Sequence, residues 1–76
     1  MDLTDYRAQI DEIDHQLVEL FARRMQTAAQ IAAWKKENGM PVLDAGRERK
    51  KLAEVSAMAP EDLREQTATL YGLLFE

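Results

Sequence analysis

Leu3, Tyr6, Ile10, Ile13, Leu17 and Leu20 recur at alternating spacings of three and four residues. That is the pattern of a helix burying one seam against other helices. The register continues through Arg24, Thr27, Ile31 and Trp34, so one helix is predicted from about Asp5 to about Glu37. Asp2 or Thr4 is a suitable cap for its start, and Asn38-Gly39 is the usual stop signal. A helix of that length extends about 50 Å. A compact globule of 76 residues has a radius of gyration of about 11 Å and a diameter near ~30 Å. The helix does not fit inside such a globule. Either it projects bare into solvent or another chain covers its seam, and the second is expected.

The composition points the same way. Small chains often need a metal, disulfides or a partner for stability. There is no cysteine, and the single His15 cannot build a histidine metal site alone. Neither metal nor cofactor is expected. The start, Met1-Asp2-Leu3-Thr4-Asp5, lacks the basic and apolar regions of a signal peptide. No apolar run approaches the roughly 20 residues of a membrane span. A cytoplasmic protein with no membrane partner is expected. The net charge of -4 argues against a nucleic-acid partner.

The fold class expected is all-α, with three helices per chain. Met40-Pro41-Val42-Leu43 reads as a linker, because proline cannot continue a helix. Asp44 looks like the N-cap of a second helix running to about Met58, with Leu52 and Val55 facing inward. Ala59-Pro60 restarts the chain, with Pro60 suited to a first helical position. Leu63, Thr67, Leu70, Tyr71, Leu74 and Phe75 give the third helix its buried face. That helix is still apolar at Glu76, which reads as a truncation within it.

Arg24 is the most informative side chain, because it occupies an a position in the apolar seam. A buried guanidinium without a partner is costly and cannot deprotonate. It is either ion-paired with an acid on a neighbouring helix, snorkelling, or placed for an anionic ligand. Lys35 lies three turns on and only about 20° around the helix, with Ala28 and Ala32 between them leaving space. The bland reading of Lys35 is a solvated flank beside Lys36 and Glu37.

Arg47 and Glu48 follow Asp44 in the first turn of the second helix. Acids there are ordinary helix chemistry, whereas Arg47 opposes the helix dipole. Arg49, Lys50 and Lys51 read as a solvated basic face with partners such as Glu54. Arg7 is spaced to pair with Asp11. It is also about 25 Å along the helix from Arg24 and turned roughly 100° away. It could join Arg24 only from an antiparallel partner chain. His15, at an f position, should be exposed, and Trp34 and Tyr6 fit the seam as core.

The order and spacing of several stretches resemble the all-helical chorismate mutases, including those fused to prephenate dehydratase. The matching pieces are Tyr6-Arg7 with Ile10-Asp11-Glu12-Ile13-Asp14, then Leu20-Phe21-Ala22-Arg23-Arg24, Lys35, Gly39-Met40-Pro41-Val42, and Asp44-Ala45-Gly46-Arg47-Glu48-Arg49. The resemblance is close over residues 3–55 and only outlined in the third helix. It implies an intertwined homodimer and a single mutase domain over residues 1–76 that converts chorismate to prephenate in aromatic amino acid biosynthesis. It further implies that Arg24, and Arg7 from the other protomer, bind the substrate carboxylates, with Arg47 adding charge. Lys35 would donate to the ether oxygen, and Glu48, near the backbone of Asp44, would hold the ring hydroxyl. In that family the third helix goes on to supply a hydroxyl residue and a glutamine. By the match around Tyr71 and Glu76, those positions fall just past the last residue here.

The residue types suit this chemistry. A Claisen-type rearrangement needs no nucleophile, metal or cofactor, but a dianion held in a chair-like conformation and charge stabilised as the ether bond lengthens. Two alternatives stay open. One is an isochorismate–pyruvate lyase of the same fold, handling a similar dianion. The other is a non-catalytic helical dimerisation module in which Arg24 is merely ion-paired.

Overall fold

A computed structural model describes residues 1–75 of the chain. Helix α1 spans Leu3–Glu37 and α2 spans Ala45–Met58. A short 3-10 turn, Glu61–Leu63, leads into α3, Arg64–Leu74. No strand occurs among the described residues, so the all-α class is as expected. The chain divides into two units, α1 with its C-terminal turn up to Val42 and the α2–α3 pair from Leu43 onward.

Helix α1 begins two residues before the expected point, because Asp2 and Asp5 form a capping box. The Asp5 amide donates to Asp2 Oδ1 at 3.0 Å, and the Asp2 amide donates to Asp5 Oδ2 at 3.2 Å. Tyr6 N–H then donates to the Asp2 carbonyl at 3.1 Å, opening the helical ladder. At the other end Gly39 takes a left-handed conformation, φ +68°. Met40 N–H reaches back to the Lys35 carbonyl at 2.8 Å and Gly39 N–H to the Lys36 carbonyl at 3.3 Å, the paired bonds of a Schellman stop. The Asn38 side-chain amide adds a 2.8 Å bond to the Trp34 carbonyl. Lys35 and Lys36 put positive charge at the negative end of the dipole.

Between these caps α1 buries no residue. The apolar seam side chains Leu3, Tyr6, Ile10, Ile13, Leu17, Leu20, Ile31 and Trp34 are all 51% to 62% exposed. No ion pair joins Arg7 and Asp11 among the described residues despite their spacing, whereas His15 Nε2 lies 3.6 Å from Glu19 Oε1. His15 is exposed, as its f position requires.

Helix α2 starts at the expected cap, where Asp44 Oδ1 accepts from the Arg47 amide at 3.0 Å. Val55 is its buried residue and Leu52 is half-buried beside it. The facing side of α3 contributes Thr67, Ala68, Tyr71, Leu74 and Phe75, all half-buried. The Tyr71 and Phe75 rings meet with centroids 6.1 Å apart and planes tilted by 60°, within the favoured range for aromatic pairs. Thr67 keeps its hydroxyl satisfied inside the helix by donating to the Leu63 carbonyl at 2.7 Å.

Three expectations need correction. Pro60 is not the first helical residue: its ψ of 147° is extended, and its carbonyl accepts the first turn bond from Leu63 N–H at 2.8 Å. Leu63 and Leu70 stay exposed, at 47% and 48%. Leu63 closes the 3-10 turn with φ -115° and ψ 5°, out of register with α3. Leu70 is turned from the side of α3 that meets α2. The truncation expected at Glu76 lies outside the described residues. Among the described residues no helix is long and apolar enough to cross a membrane.

Lys51 Nζ donates to Glu54 Oε2 at 3.0 Å on the solvent side of α2. That hydrogen bond first, and then the ammonium charge, hold the Glu54 carboxyl below the ordinary glutamate range. A carboxyl depressed on folding stabilises the fold above its unfolded pKa, and that contribution is lost as pH falls through the folded value. Lys51→Met should raise the Glu54 midpoint in a carboxyl NMR titration; an unchanged midpoint would rule out this pairing in solution. Asp2→Ala should lower unfolding stability by about 1 kcal/mol through loss of the cap, while Asp2→Ser stays near the parent. Equilibrium denaturation of the three proteins makes the comparison.

Candidate functional site

Three residues of α1 are more sheltered than the rest of the helix: Arg24, Ala32 and Lys35. They are half-buried and share one face, at helical offsets of eight and three residues. Arg24 lies in a shallow groove of about 390 Å3 along α1, lined by Leu20, Arg23, Thr27, Ala28 and Ile31. Ala28 is among the small residues lining it. The groove therefore combines two guanidinium groups with apolar walls, a chemistry suited to a small anion carrying an apolar skeleton.

Lys35 is the third residue from the C-terminal end of α1 and is half-buried, whereas Lys36 beside it is exposed. The solvated-flank reading suits Lys36 better than Lys35. Arg7 lies in the second turn of the same helix and is exposed. A straight helix puts it about 25 Å from Arg24. No side chain spans that gap, so one copy of α1 does not bring Arg7 and Arg24 together.

The remaining candidates occupy the start of α2. Asp44 holds the helix N-terminus through its carboxylate, and its carbonyl accepts from Glu48 N–H at 3.1 Å. Arg47 is exposed, its side chain in the turn where the helix dipole disfavours a cation. Its backbone is committed to the Asp44 cap, which leaves its guanidinium orientation unconstrained by that bond.

Glu48 is half-buried and lines a groove of about 350 Å3 between α2 and α3, with Ala45, Arg49, Leu52, Gly72 and Phe75. Arg23 was given no role by the sequence, and Arg49 was read as part of a solvated basic face. The signal for Arg49 was present: it sits four residues after Ala45 and three before Leu52, on the face that meets α3. Its solvent exposure is as expected, yet one edge of it borders the groove.

A family model described as chorismate mutase type II matches residues 6–76. The chain is 37% identical over 46 residues to the T-protein of Haemophilus influenzae, covering 60% of this chain and 12% of that protein. It is 33% identical over 66 residues to the T-protein of Enterobacter agglomerans, covering 79% of this chain and 18% of that protein. A protein named chorismate mutase from Methanocaldococcus jannaschii is 38% identical over 47 residues, 62% of this chain and 48% of that protein. The chain thus spans less than half the length of each of these relatives. No solved structure matches. With the family match running from Tyr6 through all three helices, the chain belongs to the type II chorismate mutase family.

Proposed function

We propose that this chain is a mutase domain, residues 1–76, that rearranges chorismate to prephenate as a homodimer. The proposal includes a cytoplasmic setting, in keeping with a chain that has no cysteine. The observation that carries it is the half-burial of Arg24 and Lys35 on one face of α1, with the groove at Ala28 beside them. Family membership supplies the reaction.

In this reading the substrate dianion lies with one carboxylate at Arg24 and the other at Arg7 of the partner subunit. Arg47 adds positive charge to the same pocket, and Glu48 beside the Asp44 backbone accepts the ring hydroxyl. The reaction is intramolecular: the ether C–O bond breaks as the new C–C bond forms, and no proton is gained or lost overall. Holding the extended substrate in its compact reactive conformer removes much of the entropic barrier. As the C–O bond lengthens, the ether oxygen gains negative charge, and the Lys35 ammonium donates to it. That interaction is stronger in the transition state than in the ground state, which is the condition for raising kcat.

The bare seam supports the dimer. Eight large apolar side chains at heptad spacing, each about half exposed, form the surface that a second α1 covers best. An antiparallel arrangement would carry Arg7 of one copy toward Arg24 of the other.

Two experiments test the reading. Arg7→Ala and Arg24→Ala proteins should each be inactive, and mixing them with refolding should restore part of the activity. The restored heterodimer carries one site with both arginines and one with neither. Confirmed heterodimers without recovered turnover would overturn the shared site. Lys35→Ala should lower kcat by two to three orders of magnitude, corresponding to about 3–4 kcal/mol of barrier, with a much smaller change in KM. Near-normal turnover of chorismate by the folded variant would remove Lys35 from the mechanism. Assaying isochorismate beside chorismate separates the mutase from a lyase.

A further inference from the structure

The C-terminal stop of α1 is built around the residue that the proposed reaction needs most accurately placed. Helix ends fray, and a residue three positions from the end has no following turn to hold its carbonyl. Here the end is tied at three successive carbonyls. Trp34 accepts from the Asn38 backbone at 3.1 Å and from its side-chain amide at 2.8 Å. Lys35 accepts from Met40 N–H at 2.8 Å, and Lys36 accepts from Gly39 N–H at 3.3 Å. The bond that closes the motif therefore lands on Lys35 itself.

Gly39 makes that closure possible. Its φ of +68° turns the chain back so that Met40 N–H faces Lys35, and a Cβ built there would meet nothing within 4 Å. A substitution at residue 39 thus changes the cost of the left-handed conformation without adding a clash. Asn tolerates that conformation, Ala less so, and a β-branched residue is a true outlier. We infer that Gly39 is a positioning residue for Lys35, locking the last turn of α1 so that the ammonium is held where negative charge develops. This rests on the role proposed above for Lys35, and concerns which residue enforces it.

The test is a double series in the full chain: Gly39→Asn, Gly39→Ala and Gly39→Val, each with Lys35 intact and with Lys35→Ala. Turnover of chorismate and thermal midpoints are measured for every protein. With Lys35 intact, kcat should fall in the order Gly, Asn, Ala, Val, by roughly tenfold at Val, since the left-handed cost rises along that series. KM should hold within about twofold, because the affected contact strengthens only in the transition state. With Lys35→Ala, kcat should no longer depend on residue 39. Equal gradation in both backgrounds would mean that residue 39 acts through general stability, and would overturn the inference. A flat series in an active parent would overturn it too. Should Val prevent folding, the Asn and Ala pair still carries the comparison. If the parent has no turnover, or Lys35→Ala is as fast as the parent, the proposed function or the Lys35 role has failed and this inference falls with it.

Discussion

An apolar seam along α1, interrupted by a single guanidinium, is the constraint on which the rest of this molecule depends. Each of its eight large side chains is about half exposed, which leaves roughly 1 kcal/mol apiece of hydrophobic stabilisation unrealised. A helix of 35 residues in water draws most of its stability from packing rather than propensity. Covering the seam therefore decides whether α1 is a stable element. The same cover changes the standing of Arg24, because a guanidinium taken from water needs an anionic counterpart.

Charge placement at the helix ends separates what folding asks for from what it does not. Asp2 and Asp5 at the start of α1, Lys35 and Lys36 at its end, and Asp44 and Glu48 at the start of α2 all agree with their helix dipoles. Arg47 and Arg64 do not: each is an exposed cation in the first turn of its helix, α2 and α3 respectively. Behind Lys51 and Lys50, the Arg47 charge contributes to holding the Glu54 carboxyl low.

How much of this was legible in the sequence depended on whether the cause was local. The three-four spacing of Leu3 to Trp34 gave α1, and Asn38-Gly39 and Asp44 marked its end and the next start. These are interactions within one or two turns, and a short window contains them. Asp2 was legible as a cap for α1, but the helix was read from about Asp5, since the Asp2–Asp5 capping box uses aspartate where glutamate or glutamine is the usual signature. The buried face of α3 was legible at Thr67, Tyr71, Leu74 and Phe75 but not at Leu63 or Leu70. Apolarity alone does not say which flank of a stripe meets α2 and which is left outside it. Arg7 and Asp11 had the right spacing for an ion pair and do not form one, as expected of exposed pairs whose attraction barely exceeds the entropy of holding two flexible side chains. Among the candidate site residues, Arg24 was conspicuous as a charge in a seam, whereas Lys35, Glu48 and Arg47 drew their significance from order and spacing.

Asp44 has a further consequence for how this fold tolerates change. Its carboxylate secures the first turn of α2, its carbonyl opens the helical ladder, and it adjoins Arg47 and Glu48. Replacing it therefore disturbs the helix and the neighbouring charged groups in one stroke. A mutational scan would record a large loss there without distinguishing the two origins. Arg47, whose side chain the cap does not use, lacks this double anchorage. Of the two positions, Asp44 is thus the one that the fold itself holds in place.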